Sequence, residues 1–181
     1  QQNVQLVDHL LSMNISYDKI LLDAVRTNVE IVKTVIKYKN HPSFINRRTN
    51  EGSALCIASR YNRIEIVEFL LSVPGINVNV FDNNDAHIFR FMITNNRIEI
   101  LELFLKTGKV DINCNSFLSD AIQNRRKEIA ELILKYPTTD INARNLQDLS
   151  PLILAVKQDY LSIVDYILND ERFDPEESRF I

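Results

Sequence analysis

The chain has 181 residues, with 21 lysines and arginines against 24 aspartates and glutamates and a formal net charge of −3. A 45% hydrophobic and 25% charged composition excludes a disordered chain, and the charge balance gives no global pull toward nucleic acid or anionic membranes. Three separated glycines leave no glycine-rich phosphate loop, and no apolar run approaches the roughly 20 residues that a membrane span needs.

In chain order, the first element is "VQLVDHLLS" from Val4, a helix pattern that returns five more times. Its later copies are "VEIVKTVIK" from Val29, "IEIVEFLLS" from Ile64, "IEILELFLK" from Ile98, "KEIAELILK" from Lys127 and "LSIVDYILN" from Leu161. Ile66, Val67, Leu70 and Leu71 fall on one face of such a helix, with Glu65 and Glu68 on the other. These are outer helices. Before each of them except the first stands a shorter inner helix: "LLDAVRTN", "ALCIASRYN", "FRFMITNN", "LSDAIQNR" and "PLILAVKQD". Ala24, Ala58, Met92, Ala121 and Ala155 take equivalent places, 34, 34, 29 and 34 residues apart, as expected where neighbouring backbones approach closely.

The two helices of a pair are joined at Asn28, Asn62, Asn96 or Asp159, residue types that tolerate a left-handed turn or cap a following helix. Asn62 with Glu65 and Asn96 with Glu99 fit a capping box, so "NRIE" is expected to be a helix start. After each outer helix come "INVN", "VDIN" or "TDIN" and a polar stretch, which are hairpin signals, and Pro151 suits the first turn of the last inner helix.

At "DINARNLQDLSPLILAV", residues 140 to 156, the sequence resembles the ankyrin-repeat family: a hairpin, a threonine-proline-leucine-histidine start and an inner helix. The resemblance covers essentially the whole chain, residues 1 to 181, as a single array of about five repeats plus a leading outer helix. It implies an all-α, ankyrin-repeat-like solenoid of stacked helix-turn-helix units joined by hairpin fingers. At the family's threonine-proline-leucine-histidine positions the chain has Ser53-Ala54-Leu55-Cys56, His87-Ile88-Phe89-Arg90 and Ser150-Pro151-Leu152-Ile153, so the usual histidine hydrogen-bond ladder is not expected. About five residues are missing from the fifth finger, which predicts a notch near Cys114, Asn115 and Ser116.

The same resemblance implies a scaffold that binds another protein through a concave face. Matching finger positions are Arg47, Thr49, Asn50, Phe81, Asn83, Asn84, Arg144, Leu146 and Gln147. Matching inner-helix positions are Arg26, Thr27, Arg60, Tyr61, Thr94, Asn95, Gln123, Asn124, Lys157 and Gln158. Arg60, Tyr61 and Phe81 are the preferred anchors, because arginine and aromatic side chains dominate interface hot spots; Phe81 packing within its own hairpin is the plainer alternative.

Chemistry adds no catalytic reading. His9, His41 and His87 stand apart from each other and from the cysteines without metal-ligand spacing, and no cofactor or small-molecule substrate is expected. Cys56 lies on an inner helix, where a buried small side chain is commoner than a nucleophile. The pairs Glu65/Glu68, Glu99/Glu102 and Glu128/Glu131 recur on one outer-helix face, the mark of solvated surface. Arg63, Arg97 and Arg126 form an arginine ladder near the inter-helix turns, which leaves a nucleic-acid-binding module as one alternative; the non-catalytic region of a larger enzyme or channel is another. Cysteine spacing without CxxC or a secreted framework favours a reducing, cytoplasmic home, with no direct membrane insertion. The half-present first repeat and the hairpin begun at "ERFDPEESRFI" give the expectation of a piece of a longer array.

Overall fold

The computed structural model describes residues 16–39, 41–82, 86–113 and 116–176, together with Gln5, His9 and Ser12. Most of the leading outer helix, and Asn83, Asn84, Cys114 and Asn115, lie outside the described residues. The described residues form short helices and no strand, an all-α repeat architecture. Contacts divide the chain into two compact units, one of residues 1–88 and 106–109, the other of residues 89–105 and 110–181.

In the first unit, α1 (Tyr17–Ala24) packs against α2 (Val29–Tyr38), a short α3 (Pro42–Ile45) follows, and α4 (Ala54–Arg60) packs against α5 (Ile64–Ser72). Inner helix α1 also meets α4, and outer helix α2 meets α5, so the pairs stack in parallel register. The core is the apolar face read from the periodicity: Val32, Val35, Ile66, Val67 and Leu70 are buried. Serine supplies the start of α4, where the Ser53 hydroxyl accepts the Cys56 N–H at 3.3 Å.

The second unit holds α6 (Ile88–Thr94) and α7 (Ile98–Lys106), apart from their Ile88 and Lys106 ends, then α8 (Phe117–Gln123), α9 (Lys127–Leu134), α10 (Pro151–Lys157) and α11 (Leu161–Leu168). Inner helices α8 and α10 pack together, and each packs on its own outer helix. Phe89 sits at the centre, edge-to-face with Phe104 at 5.8 Å and tilted against Phe117 at 5.2 Å. Pro151 opens α10 with Ser150 capping it, as the sequence predicts.

The five equivalent small or slim positions are all buried. Four of them share one hydrogen bond: the carbonyls of Ala58, Met92, Ala121 and Ala155 accept from the N–H of Arg63, Arg97, Arg126 and Tyr160. The residue before each donor, Asn62, Asn96, Arg125 or Asp159, has φ between 55° and 58°. This is a helix C-terminal turn closed through one left-handed residue. It corrects the capping-box expectation. The outer helix does begin at "NRIE", but Asn62 ends the inner helix; Arg63 is the N-cap of α5 and makes no side-chain capping bond. In the first pair asparagine does act as a true cap, with Asn28 extended and its side chain accepting the Ile31 N–H at 3.1 Å.

The fingers are held by two isolated bridges, Thr49 with Gly52 and Phe81 with His87, and by an asparagine series. Asn113 donates to the Thr138 carbonyl at 2.6 Å and accepts the Asp140 N–H at 2.9 Å; Asn142 repeats this with the Arg172 carbonyl and the Asp174 N–H. In the first unit Asn46 does the same with Gly75 and Asn77. These two-way amide bonds tie successive fingers. Beside the shortened finger, Ser116 opens α8 from a left-handed conformation and makes no capping bond, whereas Ser53 and Ser150 start from extended backbone.

Candidate functional site

In the first unit, α4 ends at Arg60 and Tyr61 follows as its C-cap, 50% exposed. Arg26, just past the end of α1, lies over the Tyr61 ring with its guanidinium carbon 5.6 Å from the centroid, an attraction between cation and π face. The same guanidinium donates to Asp23 at 3.0 Å and to Glu51 on the neighbouring finger, and the Glu51 bond is the largest cause of its raised pKa. Arg60 reaches the Glu51 carbonyl only loosely, at 3.4 Å. Glu51 therefore draws Arg26, Arg60, Tyr61 and the 47–52 finger into one cluster.

That finger is fixed at its base. Thr49 and Gly52 exchange N–H donors at 3.1 and 3.0 Å, and Arg47 pairs with Asp18. Gly52 has φ +107°, and a Cβ there would meet the Cys56 sulfur at 3.0 Å, so the turn needs glycine. Asn50 is exposed at the tip. Arg48 donates to the carbonyl of Asp82, which links this finger to the next. There Phe81 is 40% exposed and sits edge-to-face with His87 at 5.1 Å, so it packs in part within its own hairpin.

The second unit presents a different surface. Thr94 and Asn95 finish α6 and fold back on the Arg90 and Phe91 carbonyls at 2.8 and 2.9 Å. Asn124 does the same with Asp120, while Gln123 reaches Gln147 on the following finger at 3.2 Å. Arg144 is held by Asp148 at 3.0 Å. Leu146 is fully exposed between them, Lys157 is exposed and Gln158 is half-buried.

The structure thus groups Arg26, Arg47, Thr49, Asn50, Arg60 and Tyr61 in the first unit, and Gln123 with Gln147 in the second. Sequence reading missed Glu51 and Asp23, which position Arg26. Asp23 was visible as an i, i+3 partner of Arg26; Glu51, 25 residues away, carried no signal.

Cys56 is buried, and desolvation pushes its thiol up to about 11, only partly opposed by Arg60 and Arg48, so it is a packing group. Among the described residues no three of His, Cys, Asp or Glu are grouped to hold a metal ion, and no helix is long and apolar enough to cross a membrane. Two of the turn arginines are drawn inward, since Arg97 and Arg126 bury their Nε atoms and Arg126 donates to the Thr94 carbonyl at 2.7 Å, whereas Arg63 is exposed.

Two comparisons bear on this arrangement. A model of ankyrin repeats in 3 copies matches residues 1–82 and 89–178. Among solved structures, the ankyrin repeat domain of Bcl-3, described as a unique member of the IkappaB protein family, is similar with a TM-score of 0.68 and 21% identity, over 81% of this chain and 69% of that one. No curated protein matches. The low identity to Bcl-3 speaks for the fold alone, while the repeat pattern matches across nearly the whole sequence: the chain belongs to the ankyrin-repeat family.

Proposed function

We propose that the chain is a protein-binding scaffold whose fingers and inner-helix ends recognise a partner protein, led in the first unit by Tyr61, Arg26 and Arg60. Ankyrin repeats are generally protein–protein interaction modules. The observation that carries the reading is Tyr61: a half-exposed aromatic ring held in place by Arg26, which two carboxylates lock in turn. An exposed aromatic whose neighbours are already fixed loses little freedom on binding, and its apolar area is then free to contribute affinity. The amide-rich surface of the second unit supplies complementary hydrogen bonds, with Leu146 as its apolar point.

The test places a photo-crosslinking aromatic amino acid at position 61 and, separately, at Glu65 on an outer helix. Crosslinks to one defined protein from position 61 and none from position 65 support the reading. Crosslinks to nucleic acid, or binding that falls steeply with salt as phosphate contacts do, would favour the arginine-ladder alternative.

A further inference from the structure

We propose that Arg97, Arg125 and Arg126, on two consecutive inter-helix turns of the second unit, form an anion site that takes a dianionic phosphate monoester. The two turns are tied together directly. Arg126 donates through Nη2 to the Thr94 carbonyl at 2.7 Å, which sets its guanidinium at the end of α6, on the turn that carries Arg97. Arg125, exposed and left-handed at φ 57°, stands next to Arg126 in the chain.

These guanidiniums are anchored but not neutralised. The Nε atoms of Arg97 and Arg126 are buried and bonded to nothing among the described residues, although each residue as a whole is only half-buried. The stems are therefore packed, and the terminal nitrogens without a protein partner, both on Arg97 and one on Arg126, are the part left at the surface. Other arginines of the unit meet carboxylates: Arg90 pairs with Asp120 at 2.9 Å, Arg144 with Asp148 at 3.0 Å and Arg172 with Asp170 at 2.7 Å. Among the described residues Arg97, Arg125 and Arg126 meet none. Glu99 and Glu128 follow Arg97 and Arg126 by two positions, a helix spacing at which side chains do not face each other. Asp120 is held by Arg90, and Glu131 accepts from Ser162 at 2.8 Å and lies 3.9 Å from Lys127. Asp159, exposed on the following turn, pairs with none of the three.

Charge and geometry select the ligand. A half-buried guanidinium is screened less than one in open water, so an oxyanion gains more from it, and its planar fork suits phosphate oxygens. A phosphate monoester brings close to two negative charges and three acceptor oxygens, enough to engage three arginines. A carboxylate brings one charge and two oxygens. A nucleic-acid strand would call for stacking aromatics, but among the described residues the second unit exposes one aromatic ring, Tyr166, and it lies on outer helix α11.

The test follows the arginine Nε–H signals by heteronuclear NMR while inorganic phosphate, and separately capped O-phosphoserine, is titrated at constant ionic strength. Saturable shifts at Arg97 and Arg126, with Arg144 and Arg172 unmoved, are expected for both probes, and the tighter of the two tells a phosphorylated side chain from free phosphate. R97Q is expected to weaken binding about tenfold or more. It should leave the thermal midpoint unchanged, because the Arg97 side chain gives up no bond within the protein. Linear shifts that chloride reproduces, equal shifts at every arginine, or unaltered binding by R97Q would overturn the proposal. So would capped glutamate or a single-stranded RNA binding there as tightly as phosphoserine, since the site would then not select the dianion.

Discussion

Arg172 donates to the carbonyl of Leu134 at 2.9 Å while Asp170 grips the same guanidinium nitrogen at 2.7 Å, so an arginine after one outer helix closes the end of the outer helix before it. Its other terminal nitrogen reaches the Tyr136 and Thr139 carbonyls at 3.1 and 3.2 Å. The last carbonyl of α9, that of Leu134, is thus bonded from the next repeat, while those of Glu131 and Ile133 are met locally by Lys135, Tyr136 and Thr139. Replacing Arg172 by alanine is expected to cost about 2 kcal/mol, since it removes several charge-assisted bonds at a partly buried site. Urea unfolding measures this, and R172K should recover only part of the loss.

The same pair makes a pH prediction. Hydrogen bonding from Arg172, the largest cause, lowers the Asp170 pKa from 3.8 to about 2 against the opposing effect of burial. A carboxylate with a depressed folded pKa contributes stability that is fully present above its unfolded value and is lost as pH falls through the folded one. Between about pH 4 and pH 2 the wild type should therefore lose stability more steeply than D170N. Parallel acid-unfolding curves for the two would contradict this.

Arg125 occupies the left-handed position, at φ 57°, that Asn62 and Asn96 hold in other repeats. A long side chain there is strained, whereas asparagine adopts the conformation more readily. R125N is expected to stabilise by about 0.5–1 kcal/mol, read as a rise in the thermal midpoint, while N62R should lower it by a similar amount.

Asn113 carries two bonds between fingers, and N113A leaves the Thr138 carbonyl and the Asp140 N–H without that partner. A loss of about 1–2 kcal/mol is expected, with hydrogen exchange increasing at Asp140 first. N113D, which keeps the acceptor and loses the donor, should fall between N113A and wild type.

Cys56 should resist thiol reagents. With its pKa pushed up to about 11 and its side chain buried, a C114S variant at pH 8 is expected to label only after denaturant is added. Rapid labelling of the folded protein would show that the inner helix opens or that the sulfur is reached by solvent.

The repeat pairs were legible in the sequence because burying one helix face imposes an apolar period, and the recurring small residues Ala58, Ala121 and Ala155 are fully buried. The turn chemistry was half legible. Asparagine suits both a helix start and a left-handed helix end, and only the backbone angles decide that Asn62 is the latter. Arg125 and Asp159 in the same role show that position in the repeat, more than residue type, sets the conformation. At the site, Tyr61 and Arg60 could be named from their place on the inner helix. The Arg26–Tyr61–Glu51 cluster could not, because it joins three separate elements and no local pattern records contacts at that range.

The binding claim stands or falls most directly on the affinity of the partner recovered by crosslinking at position 61, measured by calorimetry for wild type and for R60A with Y61A. The account predicts a loss of about 2 kcal/mol or more, near thirtyfold, with circular dichroism and thermal midpoint unchanged. Unaltered affinity in the folded double variant would contradict it.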